Sequence, residues 1–370
     1  MAKEKNNRKL QVCYVLSYKA PNYTRTATLL AALRQLPNVE LTVIRNSKMG
    51  IARYFQTFTK LWNYRLHHKP DVFIVGFRGQ ETFALFYPFM RGSKIIFDEF
   101  INMHDWLVNE HQKLKEGSIG TKILDSYMYW IVKRSNYILA DTPAHARLSA
   151  GMYGLSPQKV VAVPVGAEED VFRPSKDSAK HKTFEVFFYG NMLPLHGLTV
   201  ILEAIKYLAE DGRISGMHFT LVGGRNKPQM MQQIEVFLKN NNLGLYVTHL
   251  SWVDYQELPE YIAKADICLG GPFGGTGQAK RVITGKTYQF MAMGKPVIIG
   301  RSSNAGIFHD KHDSIIVQQG NPVELASAIS WCKENRDELK NIRANALVLY
   351  KNSFSAIAIK DILRPLIKSV

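Results

Sequence analysis

The chain has 370 residues, 46% hydrophobic and 21% charged, which supplies real cores and excludes global disorder. That length predicts two domains or three. Lys and Arg number 47 against 31 Asp and Glu, so the net charge is +16, which calls for an anionic partner: nucleic acid, a phosphorylated ligand or an acidic membrane surface.

Short apolar runs alternate with helical patterns from the start. In the first half, strands are expected at residues 11–17, 40–45, 72–75, 94–97, 137–140 and 160–163. Helices are expected between them at 24–35, 51–68, 81–90, 121–134 and 144–151. Residues 164–183 are polar, lack periodicity and read as a linker. A second alternation follows, with strands at 184–189, 218–222, 247–250, 267–269, 296–299 and 314–317. Its helices are at 198–211, 228–241, 254–264, 282–293 and 322–332, and a last helix covers 354–367. Short strands alternating with helices imply parallel, doubly wound sheets, and an α/β chain of two halves facing each other across a cleft. Domain bounds are expected at 1–170, 171–352 and 353–370, the last a closing helix.

The positive excess is concentrated: residues 1–70 hold 13 basic side chains and two acidic ones, Glu4 and Glu40. Cys13, Cys268 and Cys332 are far apart and odd in number, so a structural zinc site is not expected, and the usage suits a reducing compartment. The first apolar run is broken by Ser17 and Lys19 and reads as a strand rather than a signal peptide. No run approaches the ~20 apolar residues of a membrane span. A cytoplasmic protein is expected, peripheral on the inner face of the membrane if it binds lipid.

Gly285-Lys286-Thr287 is not a P-loop, because Lys280 stands where that loop needs glycine, and no GxGxxG follows the first strand. Three glycine-rich turns instead close strands of the second half: Gly190-Asn191, Gly223-Gly224-Arg225, and the run from Gly270 through Gly274, Gly275 and Thr276 to Gly277. Any one is ordinary turn chemistry. Three on one sheet edge, each before a helix, point to a phosphate-bearing ligand.

Residues 286–297 read Lys286, then Gln289, then Met291-Ala292-Met293-Gly294-Lys295-Pro296-Val297. This run resembles the nucleotide-sugar signature of the large, family 4-type group of retaining GT-B glycosyltransferases (glycosyl transferases group 1). Val163-Pro164-Val165-Gly166 with Phe172-Arg173-Pro174 is similar to that family's linker. Tyr189-Gly190 with His196-Gly197, Leu221-Val222-Gly223-Gly224, and Ala265-Asp266-Ile267 fall in the family's order. The resemblance covers roughly residues 137–330. It implies a nucleotide-diphosphate sugar as donor substrate, UDP-sugar or GDP-sugar, with no cofactor and no metal. The implied donor residues are Gly190, Asn191, His196, Gly223, Arg225, Gly274, Gly275, Thr276, Arg281, Lys286 and Gln289. The chain departs from the pattern in places. Asn191 and His196 stand where an Arg and a Lys are usual, and Arg281 and Gln289 replace the Glu-x7-Glu pair. Gln289 is able to bond ribose hydroxyls, and Arg281 to meet a diphosphate bidentately beside Lys286.

In the first half, residues 97–106 place Asp98, Glu99, His104 and Asp105 after a strand. Asp98, Glu99 and His104 are the candidate catalytic residues, against the alternative that these carboxylates are helix N-caps. Asp141-Thr142-Pro143 reads as an N-cap with proline opening a helix. Residues 51–68 put Ile51, Tyr54, Phe55, Phe58, Leu61, Trp62 and Leu66 on one helical face. Arg53, Phe55, Phe58, Lys60, Trp62 and Arg65 are the candidate membrane contacts, against the alternative of a core-facing helix with a solvated basic side.

These readings converge on a retaining, metal-independent hexosyltransferase acting on a glycolipid or glycan acceptor at an anionic membrane surface, without nucleic acid. The alternative is an altered GT-B scaffold that binds polyanions or nucleic acid.

Overall fold

The computed structural model describes residues 8–174, 182–304 and 306–368. The chain forms two compact units: residues 1–165 with 356–370, and residues 166–355.

In the first unit β1 (Leu10–Leu16), α1 (Thr24–Arg34), β2 (Val39–Arg45), α2 (Ala52–His67), β3 (Val72–Val75) and α3 (Phe83–Met90) come first. Then follow β4 (Lys94–Asp98), α4 (Ile119–Arg134), β5 (Tyr137–Ala140), α5 (Pro143–Met152) and β6 (Val160–Ala162). A π-helical turn over Asp105–Glu110 replaces a helix between β4 and α4. All strands are parallel, in the order β2-β1-β3-β4-β5-β6. β3 is buried at every position, as a strand covered on both faces must be. Thr142 caps α5 by accepting the His145 N–H at 3.2 Å, with Pro143 in its first turn.

The second unit contains β7 (Phe184–Tyr189), α6 (Leu198–Glu210), β8 (Met217–Val222), α7 (Pro228–Asn240), β9 (Val247–Leu250) and α8 (Leu258–Lys264). After these come β10 (Ile267–Leu269), α9 (Gly285–Ala292), β11 (Val297–Gly300), β12 (Ile315–Val317), α10 (Pro322–Glu334) and α11 (Arg336–Ser353). Its parallel sheet runs β12-β11-β10-β7-β8-β9. The chain then returns to the first unit as α12 (Ala356–Lys368), whose Ile359, Leu363, Leu366 and Ile367 pack with Leu29, Leu30 and Leu33 of α1. Each such buried aliphatic side chain contributes about 1.5–3 kcal/mol.

Two expectations need correction. Residues 336–353 form an 18-residue helix that the strand–helix alternation passed over, although Leu339, Ile342, Ala346 and Tyr350 form its buried stripe. Within the expected linker, residues 175–181 lie outside the described residues. The stretch 166–174 packs into the second unit, where Phe172 is buried edge-on against Tyr255.

The first unit is braced by Arg25, a fully buried arginine. Its guanidinium donates to Asp98 (Nη2 to Oδ1 2.8 Å), to the Val163 carbonyl at 2.5 Å and to the Pro164 carbonyl at 3.0 Å. One cation thus ties α1, the end of β4 and the segment after β6. Removing one partner of a buried pair strands the other charge. Arg25→Met is therefore expected to destabilise the protein by about 3–5 kcal/mol, and Arg25→Met with Asp98→Leu by clearly less. Urea unfolding of the two variants checks both numbers.

Candidate functional site

In a parallel α/β sheet the ligand crevice opens at the carboxyl edge where strand order reverses. In the second unit that point lies between β7 and β10. β7 leads into Gly190 and then a tight turn at Pro194–His196. β10 leads into Gly270, a cis Gly271–Pro272 bond and Phe273. The two loops are joined by the Gly274 N–H, which donates to the Leu195 carbonyl at 3.0 Å. Bulk is excluded here: a Cβ on Gly274 would lie 2.4 Å from the Pro194 carbonyl oxygen. Gly223, at the end of β8, has φ +143°, and a Cβ there would lie 2.0 Å from the Gly190 carbonyl oxygen.

α9 opens toward the same edge. Thr284 pins its start by donating to the Gly270 carbonyl at 2.6 Å. Lys286, in the first turn, is buried with its ammonium 5.2 Å from the Phe188 ring centroid. Among the described residues no carboxylate pairs with it. Burial lowers its pKa to about 7. His196 packs its ring against Gly190 beside the Lys286 stem. Enclosure of the ring, then the charges of Lys286 and Lys227, hold it well below the usual histidine range, so it is neutral at pH 7.

Gln289 sits one turn further along α9. Its Nε2 donates to the Tyr255 hydroxyl at 3.1 Å, which donates to Glu168 at 2.8 Å. Its buried Oε1 accepts nothing among the described residues. The neighbourhood thus offers a buried ammonium, a neutral imidazole, a helix N-terminus and an oriented amide, around backbone stripped of side chains. Such a place suits an anion carrying hydroxyl groups.

The remaining second-unit candidates are placed as follows. Asn191 and Gly275 are exposed. Thr276 accepts the Ala279 N–H at 3.1 Å and so shapes its own loop. Arg281 folds back over Gly277. Arg225 stacks on Trp252, 4.7 Å from its ring centroid, at the β8–β9 end of the edge. Lys227, Tyr255 and Glu168 went unnoticed in the sequence. Lys227 donates to the Met192 carbonyl at 2.8 Å, and its position just before the proline that opens α7 was the available signal. Tyr255 and Glu168 are brought to Gln289 only by the fold.

In the first unit the catalytic candidates are placed as follows. Asp98 is fully buried and paired with Arg25. Glu99 is also buried, and its Oε1 accepts from Asn102 at 3.2 Å and Tyr153 at 3.3 Å; burial raises its pKa. Both ring nitrogens of His104 face carboxylates, Asp125 at 2.8 Å and Glu116 at 3.2 Å. Burial opposes its protonation, but Asp125 and Glu116 outweigh that and raise its pKa. What the strand ends do present is aromatic: Tyr18, Tyr23, Phe77 and Phe100 pack ring to ring, Tyr18–Phe77 and Phe77–Phe100 both at 4.8 Å. They lie at the carboxyl edge near the β1–β3 reversal.

The membrane candidates divide. Arg53 is spent on Glu81 at 3.0 Å, and Arg65 on the Phe89 and His68 carbonyls. Phe58 packs inward with Phe89. Lys60 stays exposed while donating to the Arg45 carbonyl at 2.9 Å. Phe55 and Trp62 are exposed, and Met49, Ile51 and Leu66 join them in a surface stripe.

Residues 183–335 match the family model of glycosyl transferases group 1. That match lies within the second unit, and the two six-stranded parallel sheets together have the fold of GT-B structures. Anabaena HepE, solved with UDP-glucose, superposes with a TM-score of 0.74 at 12% identity, over 98% of this chain and all of that one. Sucrose-phosphate synthase from Thermosynechococcus elongatus gives 0.71 at 14% identity, over 96% and 98%. A D-inositol 3-phosphate glycosyltransferase from a Nocardioides species is 24% identical over 59% of this chain, and the match spans 50% of that relative's length.

The glycine geometry yields a paired test. Gly223→Ala is expected to cost about 1–3 kcal/mol through its positive φ, plus the clash with Gly190. Gly275→Ala, whose Cβ would meet nothing within 4 Å, is expected to be neutral. Denaturation midpoints distinguish the two.

Proposed function

We propose that the protein is a glycosyltransferase whose second unit binds a nucleoside-diphosphate sugar. The observation that carries this reading is Lys286. A buried ammonium without a counter-charge is costly unless an anion arrives to meet it, and a diphosphate is the anion that glycine-bounded loops at a helix N-terminus accommodate. Gln289, held by Tyr255 and Glu168, offers its free carbonyl oxygen to a ribose hydroxyl. His196, kept neutral, hydrogen-bonds the donor without opposing Lys286. Arg281, folded over Gly277 in the same glycine-rich run, is the guanidinium assigned to the diphosphate.

The first unit takes the acceptor, and transfer retains anomeric configuration. With Asp98 and His104 occupied, the proton acceptor is the donor's own phosphate. As the anomeric carbon–oxygen bond to phosphate breaks, the acceptor oxygen bonds the same face of the sugar and its proton passes to the leaving phosphate oxygen. The Tyr18, Tyr23, Phe77 and Phe100 group suits the apolar face of a sugar ring. The acceptor is a glycolipid or membrane-tethered glycan, which the exposed stripe on α2 and the basic excess of residues 1–70 support.

Thermal unfolding with UDP, GDP, ADP, CMP and their sugars tests the donor site. One matching ligand at ~100 Kd adds about 2.7 kcal/mol, and Lys286→Ala is expected to abolish the shift. No shift with any nucleotide overturns the reading. Affinity for the nucleotide sugar carries a pH signature. The diphosphate raises the Lys286 pKa above its free value of about 7. Binding is therefore fully developed below pH 7 and weakens above it, by up to about tenfold per pH unit until the bound pKa is passed.

Co-sedimentation tests the surface stripe. The wild type is expected to bind phosphatidylglycerol vesicles, more weakly in high salt, and Phe55→Ser with Trp62→Ser to lower partitioning about tenfold. Equal binding by both proteins sinks the membrane part and leaves the donor site untouched.

A further inference from the structure

In the turn between β11 and β12, His309, His312 and Asp313 each offer a ligand atom, all within 4.8 Å of one another. Asp313 is buried, whereas both imidazoles are about two-thirds exposed. The Nδ1 atoms of His309 and His312 lie 3.2 and 3.6 Å from the same oxygen, Oδ2 of Asp313. In a tetrahedral site with metal–ligand bonds of about 2.0–2.1 Å, neighbouring ligand atoms stand about 3.3 Å apart. Both imidazole–carboxylate spacings fall near that value.

The cluster is also pre-organised. Asp313 Oδ1 accepts the His309 N–H at 3.0 Å and the Ser314 hydroxyl at 3.1 Å, which leaves Oδ2 turned toward the rings. The turn is closed by the N–H groups of His312 and Asp313 on the His309 carbonyl and of Lys311 on the Ser314 carbonyl. Lys311 takes the left-handed conformation there, and its ammonium lies over Trp331. Asn345 of α11 donates to the His312 carbonyl at 3.0 Å. The carboxylate is thus fixed by outer hydrogen bonds, as ligating carboxylates are.

We propose that His309, His312 and Asp313 bind a divalent transition ion of the zinc type. Two imidazoles and one carboxylate select a borderline ion over magnesium or calcium, which prefer all-oxygen sites. Three protein ligands leave a solvent-facing position for water. The ion pins the turn that feeds β12 and does not take part in sugar transfer.

The test uses untagged full-length protein stripped with a chelator and titrated calorimetrically with ZnCl2. One equivalent is expected to bind tightly, and His309→Ala with His312→Ala to weaken it at least tenfold. The chain has 11 histidines, so only that comparison separates this site from scattered weak binding. Both imidazoles are exposed, so the double variant is expected to melt within a degree or two of the wild type when no metal is added. Wild-type binding no tighter than that of the variant overturns the proposal, whether or not nucleotide binds.

Discussion

A parallel sheet delivers the start of every following helix to one edge, and that constraint organises the second unit. Between β7 and β10 it opens a gap bounded by glycines, because neighbouring loops run too close for a Cβ at Gly223 or Gly274. Side chains are thereby excluded from the floor. The donors that remain are backbone groups, the end of α9 and the few residues that lean in from the rim.

Buried charge is handled in opposite ways in the two units. Arg25 meets Asp98 and two carbonyls, so its desolvation is offset within the chain and the result is a brace. Lys286 meets an aromatic face and no anion, so part of its desolvation cost remains and appears as a pKa near 7. A satisfied charge holds structure together. An unsatisfied one stores free energy that a ligand of opposite sign releases.

The alternation of strands and helices was legible because period-2 and period-3.6 patterns are local. The Lys286–Gln289 spacing was legible because one helical turn presents both on one face. The Asp98 pairing was not legible, because its partner, Arg25, lies 73 residues away and no local pattern announces a pair made by the fold. The carboxylates on His104 were hidden for the same reason, since Asp125 and Glu116 come from beyond the π-helical turn. On α2, periodicity grouped Phe58 with Phe55, yet packing against α3 turns one inward and leaves the other in solvent.

Where the related signature places two carboxylates, this chain has Arg281 and Gln289, and where it places a lysine it has His196. The substitutions shift the balance toward positive: two carboxylates give way to Arg281 and the neutral amide of Gln289, while an Arg and a Lys give way to Asn191 and a neutral His196, so the four positions go from neutral to one positive charge. The proposed donor site therefore relies on Lys286, the α9 terminus and Arg281 for charge, and on the Gln289–Tyr255–Glu168 relay for orientation. A ribose hydroxyl meeting Gln289 finds an acceptor of fixed direction rather than a carboxylate. In that proposal, discrimination rests on hydrogen-bond geometry more than on charge.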